Sequence, residues 1–423
     1  MTSAAGAGSL FGRTALARSA TPLVDHPVPA PPMPEPHASG IEHVVVVMME
    51  NRSFDHFLGW LPGADGHQAG LTFTDKHGIA HETARLREFQ GCGHPDPDHT
   101  WEGGRVQYNA GQCDGWLHGG SDEYAIGYYE AADLSFYGPA ARYWTVCDRY
   151  FAAIMAGTHP NRLYMHAAQT DRLHNGEGPH PTTLPTIWDR LAGSGRTGTY
   201  YFSDSPFTAH WGKKYRSISR PVTTFYADCA AGTLPDVAYV DPRFLHETIG
   251  TSGDDHPHSD IRVGQAFLND IYEAVSASPN WQNTVLVITY DEWGGFFDHV
   301  PPPVASDADP RCRLRGFRVP ALVISPFARR RHVAHDVYDH TSILKMIEWR
   351  WNLAPLSARD ADARNLAEVL DFDSPRLDAP RWPVPSMVGE PCVTPDLAEF
   401  ASWRALADIA HRAGFNVPRL VPA

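Results

Sequence analysis

Five short and almost uninterrupted apolar runs set the strongest constraint on the fold of this 423-residue chain. The first run, His43–Met49, reads His-Val-Val-Val-Val-Met-Met and is rich in β-branched residues. Such a run is typical of a strand that is buried on both faces, within a sheet that has helices on both sides. Similar runs occupy Thr199–Phe202, Val237–Val240, Thr284–Thr289 and Ala321–Ile324. The runs therefore predict one sheet that is covered by helices.

Helical patterns alternate with these runs along the chain. Ile261–Val275 repeats apolar residues at the spacing of one helix face. Thr341–Trp351 follows Asp339, a residue type that often caps a helix. Two further segments, Thr183–Leu191 and Asp396–Arg412, show the same spacing and each is followed by a glycine. Because strands and helices alternate, the sequence predicts an α/β fold.

Composition divides the chain into three regions. Residues 1–39 are rich in proline and alanine and predict a flexible arm. Residues 40–370 contain most of the strand and helix patterns and predict one folded domain, in which residues 66–148 form a long, loop-rich insertion. Residues 371–423 begin with a proline-rich stretch and end in the predicted C-terminal helix, which we expect to pack on the same domain.

Charge and hydropathy exclude some classes of partner. Lys and Arg total 35 against 49 Asp and Glu, so the formal charge is −14 and we expect no nucleic-acid partner. The longest aliphatic run, Val44–Met49, is much shorter than the roughly 20 residues that span a bilayer. The first residues show no readable signal peptide, which favours the cytoplasm, while export with an atypical or missing leader stays open. The six cysteines form no CxxC pair, and their pairing is also open.

Polar residues follow two of the predicted strands. Glu50 and Asn51 come after the first run, and Asp291 and Glu292 come after Thr284–Thr289 and one tyrosine. Ligands collect beyond the carboxyl ends of strands in α/β sheets, although a carboxylate there can also cap the next turn. Three clustered carboxylates repel one another and imply a cation, and oxygen ligands suit a hard or borderline divalent ion. We therefore predict one divalent metal ion, with Ca, Mg, Mn, Fe and Zn all open.

A third cluster, GTHPNR at residues 157–162, contains a candidate nucleophile. Proline is favoured in the first turn of a helix, so Thr158 is expected near a helix N-terminus, where anions are stabilised. A hydroxyl at that position can attack a phosphoryl group, and a bound metal would lower the pKa of the hydroxyl. The alternative is that Thr158 is an ordinary N-cap residue. We predict that Thr158 is the nucleophile and also a metal ligand.

Taken together, these motifs resemble one known family. The resemblance is to the bacterial and plant phosphoesterases that include phosphatidylcholine-preferring, zinc-independent phospholipases C and a group of acid phosphatases. It covers about Ile41 to Trp351 and rests on these segments: MMENRSFDHFLG (48–59), GTHPNRLY (157–164), DDHPHSDIRVGQAFLNDIYEAV (254–275), TYDEWGGFFDHVPPP (289–303) and YDHTSIL (338–344).

The resemblance implies an alkaline-phosphatase-like fold for residues 40–370, which would be the phosphoesterase catalytic domain. It also implies metal ligands and a nucleophile at matching positions, namely Glu50, Asn51, Thr158, Asp291 and Glu292. The segment that starts at Thr158 is similar to the sulfatase motif as well, in which the first residue is an oxidisable cysteine. Threonine cannot form the aldehyde that sulfatases need, which argues against a sulfatase.

Histidines in the same motifs are similar to those that contact phosphate or transfer protons in the family. By this resemblance four are predicted catalytic, with His210 matching least well: His99, His256, His258 and His210. The alternative for each is a hydrogen-bonded structural histidine. His340 and His299 also lie in family motifs, and we expect them to contact the catalytic residues rather than the substrate.

The resemblance favours a phospholipase C that hydrolyses phosphatidylcholine-like lipids through a phospho-threonine. An acid phosphatase on soluble monoesters and an inactive lipid- or phosphate-binding module are the alternatives. Trp101, Trp116 and Tyr128 belong to an aromatic-rich insertion and are predicted to contact a quaternary ammonium head group. Plain packing of these aromatic residues is the competing interpretation. A phospholipid substrate also implies transient contact with a membrane surface.

Overall fold

The structure is a computed structural model that describes residues 29, 31–178, 180–393 and 400–418. The predicted arm of residues 1–39 therefore lies largely outside the described residues. The strands are β1 (His43–Met49), β2 (Thr72–Thr74), β3 (Ala80–Glu82), β4 (Ala84–Arg85), β5 (Gly127–Tyr128), β6 (Thr145–Cys147), β7 (Tyr150–Phe151), β8 (Gly198–Phe202), β9 (Ser219–Pro221), β10 (Val237–Asp241), β11 (Thr284–Tyr290), β12 (Ala321–Ile324), β13 (His332–Ala334) and β14 (Tyr338–Asp339). The helices are α1 (Phe54–Leu58), α2 (Trp101–Tyr108), α3 (Tyr137–Tyr143), α4 (Thr158–Ala167), α5 (Ile187–Gly193), α6 (Val222–Ala231), α7 (Ile261–Ala277), α8 (His340–Trp351), α9 (Ala358–Asp362) and α10 (Phe400–Arg412).

Eight of the described strands form the central sheet, in the order β13-β6-β12-β11-β1-β10-β8-β9. Seven of them run in the same direction, and β12 runs opposite to its neighbours β11 and β6. All five apolar runs of the sequence are strands of this sheet, and the first run, β1, lies between β11 and β10. The predicted α/β fold with a mostly parallel, buried sheet is therefore confirmed.

Helices cover both faces of the sheet, as two neighbouring residues of β8 demonstrate. The ring of Tyr200 lies 5.8 Å from that of His166 in α4, whereas the ring of Tyr201 lies 5.3 Å from that of Phe225 in α6. Successive side chains of a strand point to opposite faces, so α4 and α6 lie on opposite sides of the sheet. Helix α8 packs beside α4, and α7 packs beside α6.

Helix boundaries follow the local capping residues. Asp339 accepts a hydrogen bond from the N–H of Thr341 and caps α8, as the sequence predicts. Helix α5 begins at Ile187, later than the predicted start at Thr183, because Pro185 disfavours helical backbone in the residue before it. Thr186 and Asp189 then form a reciprocal capping box. No helix among the described residues has both the length and the apolar character that crossing a bilayer requires.

The insertion predicted at residues 66–148 ends earlier than expected. It contains the short elements β2 to β5, α2 and α3, but its last residues form β6, which belongs to the central sheet. A three-residue strand is too short to show a periodic pattern, so its pairing with β12 is determined by tertiary contacts. A disulfide also joins this insertion to the distant C-terminal region through Cys92 and Cys392.

A buried ion network near α1 joins Arg318 to three other parts of the chain. The guanidinium of Arg318 donates to Asp55 Oδ1 at 3.1 Å and to Asp298 Oδ1 at 2.9 Å. It also donates to the carbonyl oxygen of Asp148 at 2.9 Å. All four residues have no solvent exposure. Removal of the guanidinium would leave two carboxyl groups buried without their cation.

We expect Arg318→Met to lower the free energy of unfolding by about 3–5 kcal/mol, because it breaks a buried ion pair from one side. Arg85→Met is the matched control, since Arg85 is partly exposed and pairs with Asp133 and Glu130 at the surface. It should cost about 0–1 kcal/mol. Thermal or urea denaturation of both variants measures the difference, and equal losses would contradict the structural role of the network.

Candidate active site

Three neighbouring strands bring carboxylates to the same edge of the sheet. Glu50 follows β1, Asp291 follows β11 and Asp241 is the last residue of β10. These strands are parallel and adjacent, with Met49 opposite Tyr290 in the register. Their carboxyl ends therefore coincide, which is where α/β proteins bind their ligands.

The predicted metal ligands meet at this edge. One oxygen from each of Glu50, Asp291 and Glu292 lies within 4.8 Å of the other two. The amide of Asn51 donates to Glu292 Oε1 at 2.8 Å, and its own buried Oδ1 has no hydrogen-bond partner among the described residues. A buried acceptor without a donor and a set of oxygen atoms in reach of one another fit a hard divalent cation.

Thr158 is the first residue of α4, and its side chain points at this cluster. Its Oγ1 donates to Glu50 Oε2 at 3.0 Å, and only 3% of the residue is exposed. The N-cap position is occupied by Gly157. The alternative interpretation of Thr158 as an ordinary N-cap is therefore wrong, because the hydroxyl bonds to the acidic cluster instead of to its own helix.

Arg162 is a central residue that the sequence analysis did not select. Its guanidinium donates to Glu50 Oε1 at 3.0 Å and to Asp291 Oδ2 at 3.1 Å, and it lies 3.3 Å from Asp241 Oδ1. The available signal was its spacing, because residues four apart share one face of a helix and Arg162 follows Thr158 by four. One helix face thus supplies both the hydroxyl and the cation that holds the carboxylates.

The cluster carries more negative than positive charge. Burial raises the pKa of Glu50 well above its ordinary value, Asp291 raises it further, and Arg162 opposes both effects. Burial also raises the pKa of Glu292, to about 8. One guanidinium cannot neutralise four carboxyl groups in a water-poor site, so the cluster must take up protons or a further cation.

His99 is the predicted histidine that lies nearest to the ligand cluster. Its Nε2 is 3.9 Å from Glu292 Oε1, and its Nδ1 hydrogen-bonds the carbonyl oxygen of Pro97 at 2.8 Å. His256 lies behind it, with 6.4 Å between the two ring centres. Asp96 lies close to both rings, at 3.4 Å from His256 Nε2 and 3.9 Å from His99 Nδ1. The structure thus arranges two histidines around one buried carboxylate.

The other two predicted histidines lie in different surroundings. His258 donates from Nε2 to the carbonyl oxygen of His94 at 3.0 Å. His210 packs against the ring of His159 and lies 3.3 Å from Arg172 Nη1. Burial and these neighbours hold the pKa of His210 well below its ordinary value. The catalytic roles of both residues stay predictions.

The two histidines expected to support the site differ in position. His340 donates from Nε2 to the carbonyl oxygen of Asp291 at 2.6 Å, and its Nδ1 accepts from Tyr150 at 3.2 Å. Burial lowers the pKa of His340 to about 4, which fits a neutral ring. This ring holds the backbone of Asp291, a predicted metal ligand. His299 instead bonds to Asp55, in the ion network of Arg318.

That second acidic cluster also groups potential metal ligands: Asp55, Asp298 and His299. Here Arg318 bonds directly to both carboxylates, and the backbone N–H groups of His299 and Val300 donate to them as well. The carboxylates of Glu50 and Asp291 are hydrogen-bonded to Arg162 in the same way, but their cluster has one guanidinium for four carboxyl groups and also includes the unpartnered Oδ1 of Asn51. We therefore place the candidate metal site at Glu50 and Asp291.

A cavity of about 270 Å³ opens beside Thr158 and is lined by Gly157, His99 and Trp101. Trp101 is thus placed where a substrate could touch it, although Arg105 covers one of its faces, 3.2 Å from the ring centre. Trp116 has no exposure and packs on Phe317, so its predicted contact with substrate is wrong.

Tyr128 lies in β5 and packs against the same hydrophobic cluster as Trp116. The predicted joint contact of Trp101, Trp116 and Tyr128 with a head group is therefore not supported, because Trp116 and Tyr128 pack within the insertion and do not line the cavity that Trp101 borders. Sequence spacing alone could not separate these roles, since an aromatic-rich loop needs a small core of its own.

Comparison with known proteins supports the family suggested by the motifs. A sequence model described as the Phosphoesterase family matches residues 41–354. Non-specific phospholipase C4 of Arabidopsis thaliana is 30% identical over 402 residues, which cover 80% of this chain and 73% of the relative. Phospholipase C B of Mycobacterium tuberculosis is 30% identical over 448 residues, covering 86% of this chain and 84% of the relative.

Solved structures resemble the chain more distantly. A protein of the alkaline phosphatase superfamily from Vibrio parahaemolyticus is 12% identical, with a TM-score of 0.37. The alignment covers 89% of this chain and 93% of that protein.

The raised pKa of Glu292 predicts how the metal-free protein responds to pH. Its folded pKa of about 8 exceeds the ordinary 4.5, so the stability that this group contributes is complete below pH 4.5 and is lost as pH rises through 8. Glu292→Gln should therefore flatten the decline in melting temperature between pH 5 and 8, measured in EDTA.

Glu82→Gln, at an exposed position of β3, is the matched control and should follow the wild type. Parallel curves for wild type and Glu292→Gln would show that Glu292 does not hold a proton in the folded state.

Proposed function

Because this chain belongs to the Phosphoesterase family and is a phosphoric ester hydrolase, we propose that it is a phospholipase C with Thr158 as its nucleophile. The hydrogen bond from Thr158 Oγ1 to Glu50 Oε2, at 3.0 Å, carries this proposal. It places a hydroxyl at a helix N-terminus, next to a buried acidic cluster and beside an open cavity.

A divalent metal ion would be held by the oxygens of Glu50, Asn51, Asp291, Glu292 and Thr158. When bound, such an ion lowers the pKa of a hydroxyl and stabilises negative charge on phosphoryl oxygens. The unpartnered Oδ1 of Asn51 and the excess of carboxylates are the features that fit it.

Each of these residues has its own role in the proposed reaction. Glu50 accepts the hydroxyl proton of Thr158, and Thr158 Oγ1 forms a bond to the phosphorus of the substrate. The bond from phosphorus to the diacylglycerol oxygen breaks, and that oxygen receives a proton from a histidine. Water then attacks the phosphorus of the phospho-threonine and gives a proton to the histidine, while Thr158 Oγ1 takes back the proton held by Glu50 and the phosphorylated head group is released.

His99 is the best placed proton donor, because it lines the cavity and lies 3.9 Å from Glu292. His256 and Asp96 form the next layer and would orient it, since Asp96 lies near both rings. We assign His258 and His210 supporting roles, since His258 hydrogen-bonds a backbone carbonyl and His210 lies against Arg172.

The second candidate is an acid phosphatase that acts on soluble monoesters with the same nucleophile. One observation favours it, namely that Trp116 and Tyr128 pack in the insertion and do not line the cavity with Trp101, so these two rings offer no surface there for a choline group. The phospholipase relatives weigh more in our proposal, because they align over most of the chain. A phospholipid substrate requires the cavity beside Trp101 to meet a membrane surface transiently.

Removal of the hydroxyl should abolish turnover. We expect Thr158→Ala to lower kcat/KM by about 10³-fold or more, because only binding and electrostatic stabilisation remain. Thr158→Ser keeps a hydroxyl at the same position and should retain measurable turnover. Circular dichroism checks that both variants fold, and an alanine variant as active as the serine variant would exclude Thr158 as nucleophile.

A substrate panel separates the two candidate functions. We expect the wild type to release diacylglycerol and phosphorylated head group from short-chain phosphatidylcholine, measured beside a simple aryl phosphate monoester. Thr158→Ala, purified in the same way, reports any contaminating hydrolase. Rapid hydrolysis of the aryl phosphate with none of the lipid would support the acid phosphatase instead.

A further inference from the structure

Helix α10 forms part of the wall of the candidate substrate cavity. Ala401 and Ser402, in its first turn, line the cavity together with residues 99–101 at the start of α2. The C-terminal region therefore contributes side chains to the same space that His99 and Gly157 border. A segment more than two hundred residues after Thr158 in sequence thus lines the same cavity as Gly157, the neighbour of Thr158.

Trp403 packs helix α10 against buried residues next to the candidate site. Its ring is 3% exposed, stacks on Phe244 with 4.6 Å between ring centres, and meets the edge of His159 at 5.6 Å. Its indole N–H donates to the buried carboxylate of Glu247. A large ring that is packed on two sides and hydrogen-bonded at its polar atom holds its helix in one position.

Trp403 contacts two residues that lie next to Thr158 and Arg162. His159 directly follows the nucleophile Thr158, and Phe244 lies under the guanidinium of Arg162, 4.5 Å from its central carbon. The helix also packs on residues 207–211. Helix α10 is therefore built on the same support as the acidic cluster and is not a loosely attached tail.

The Cys92–Cys392 disulfide connects the segment before His99 to the segment that precedes α10 in sequence. Cys92 lies seven residues before His99, and Cys392 lies eight residues before Phe400, where α10 begins. The crosslink reaches α10 through the turn at Glu247–Ile249, because Glu247 in that turn accepts the hydrogen bond of Trp403. The N–H of Cys392 also donates to the carbonyl oxygen of Ile249 at 2.8 Å.

From these contacts we propose that α10 is a wall of the substrate cavity that limits the size of the group admitted beside Thr158, and that the Cys92–Cys392 disulfide holds this wall in place. The part of this inference that concerns substrate size rests on the proposed phosphoesterase site. The part that concerns the disulfide rests on the fold alone.

Enlarging a side chain on the wall tests the first part. Ala401→Trp should raise KM for short-chain phosphatidylcholine about tenfold more than KM for the aryl phosphate, because the larger substrate needs the lost space. Ala405→Trp, one turn further along the exposed side of α10, is the matched control and should leave the ratio of the two KM values unchanged. Ala401→Leu is the milder variant if the tryptophan variant does not fold.

Hydrogen exchange of the whole protein tests the second part without any substrate. Dithiothreitol supplies two electrons, which convert the disulfide into two thiols and the reagent into its cyclic disulfide. We expect faster exchange in peptides from residues 400–412 after reduction, and in Cys92→Ser/Cys392→Ser without reductant. Cys229→Ser, which removes a buried free thiol within α6, is the control and should exchange like the wild type.

The proposal requires both results. An equal change of KM for both substrates in Ala401→Trp, or unchanged exchange of residues 400–412 after reduction, would overturn it. A wild type that hydrolyses neither substrate would refute the proposed function instead, and the exchange experiment would still decide whether the disulfide holds α10.

Discussion

The buried guanidinium of Arg162 is the interaction on which the rest of the site depends. It bonds to Glu50 and Asp291, lies 3.3 Å from Asp241, and also donates to backbone carbonyls at the end of β1. Without a cation at this point, carboxylates at the ends of three adjacent strands would repel one another in a region that excludes water. Arg162 therefore allows the sheet edge to be acidic and packed at the same time.

The same arginine sets the position of the reactive hydroxyl. Because Arg162 and Thr158 lie one turn apart on α4, docking the guanidinium onto the carboxylates brings Thr158 Oγ1 to Glu50. Arg162 compensates the negative charge of the carboxylates only in part, because it supplies one positive charge. The pKa of the buried Glu292 stays raised, to about 8. The remaining negative charge favours the uptake of protons, and the acidic groups could also hold a divalent ion.

The strands and the meeting of the acidic residues could be predicted because both follow from local rules. Apolar runs identify buried strands, and parallel strands bring the residues after them to one edge, which placed Glu50 near Asp291. The burial of Trp116, the short strand β6 and the disulfide of Cys92 depend on distant partners. Local sequence contains no information on such partners, so these features required the structure.

Anomalous diffraction from a crystal soaked in Mn²⁺ tests the central claim most directly, namely that the carboxylates held by Arg162 bind one divalent ion beside Thr158. The account predicts a single strong peak roughly 2.0–2.6 Å from oxygens of Glu50 and Asp291 and from Thr158 Oγ1. A peak at the cluster of Asp55 and Asp298 instead, or no peak at the end of β1, would contradict it.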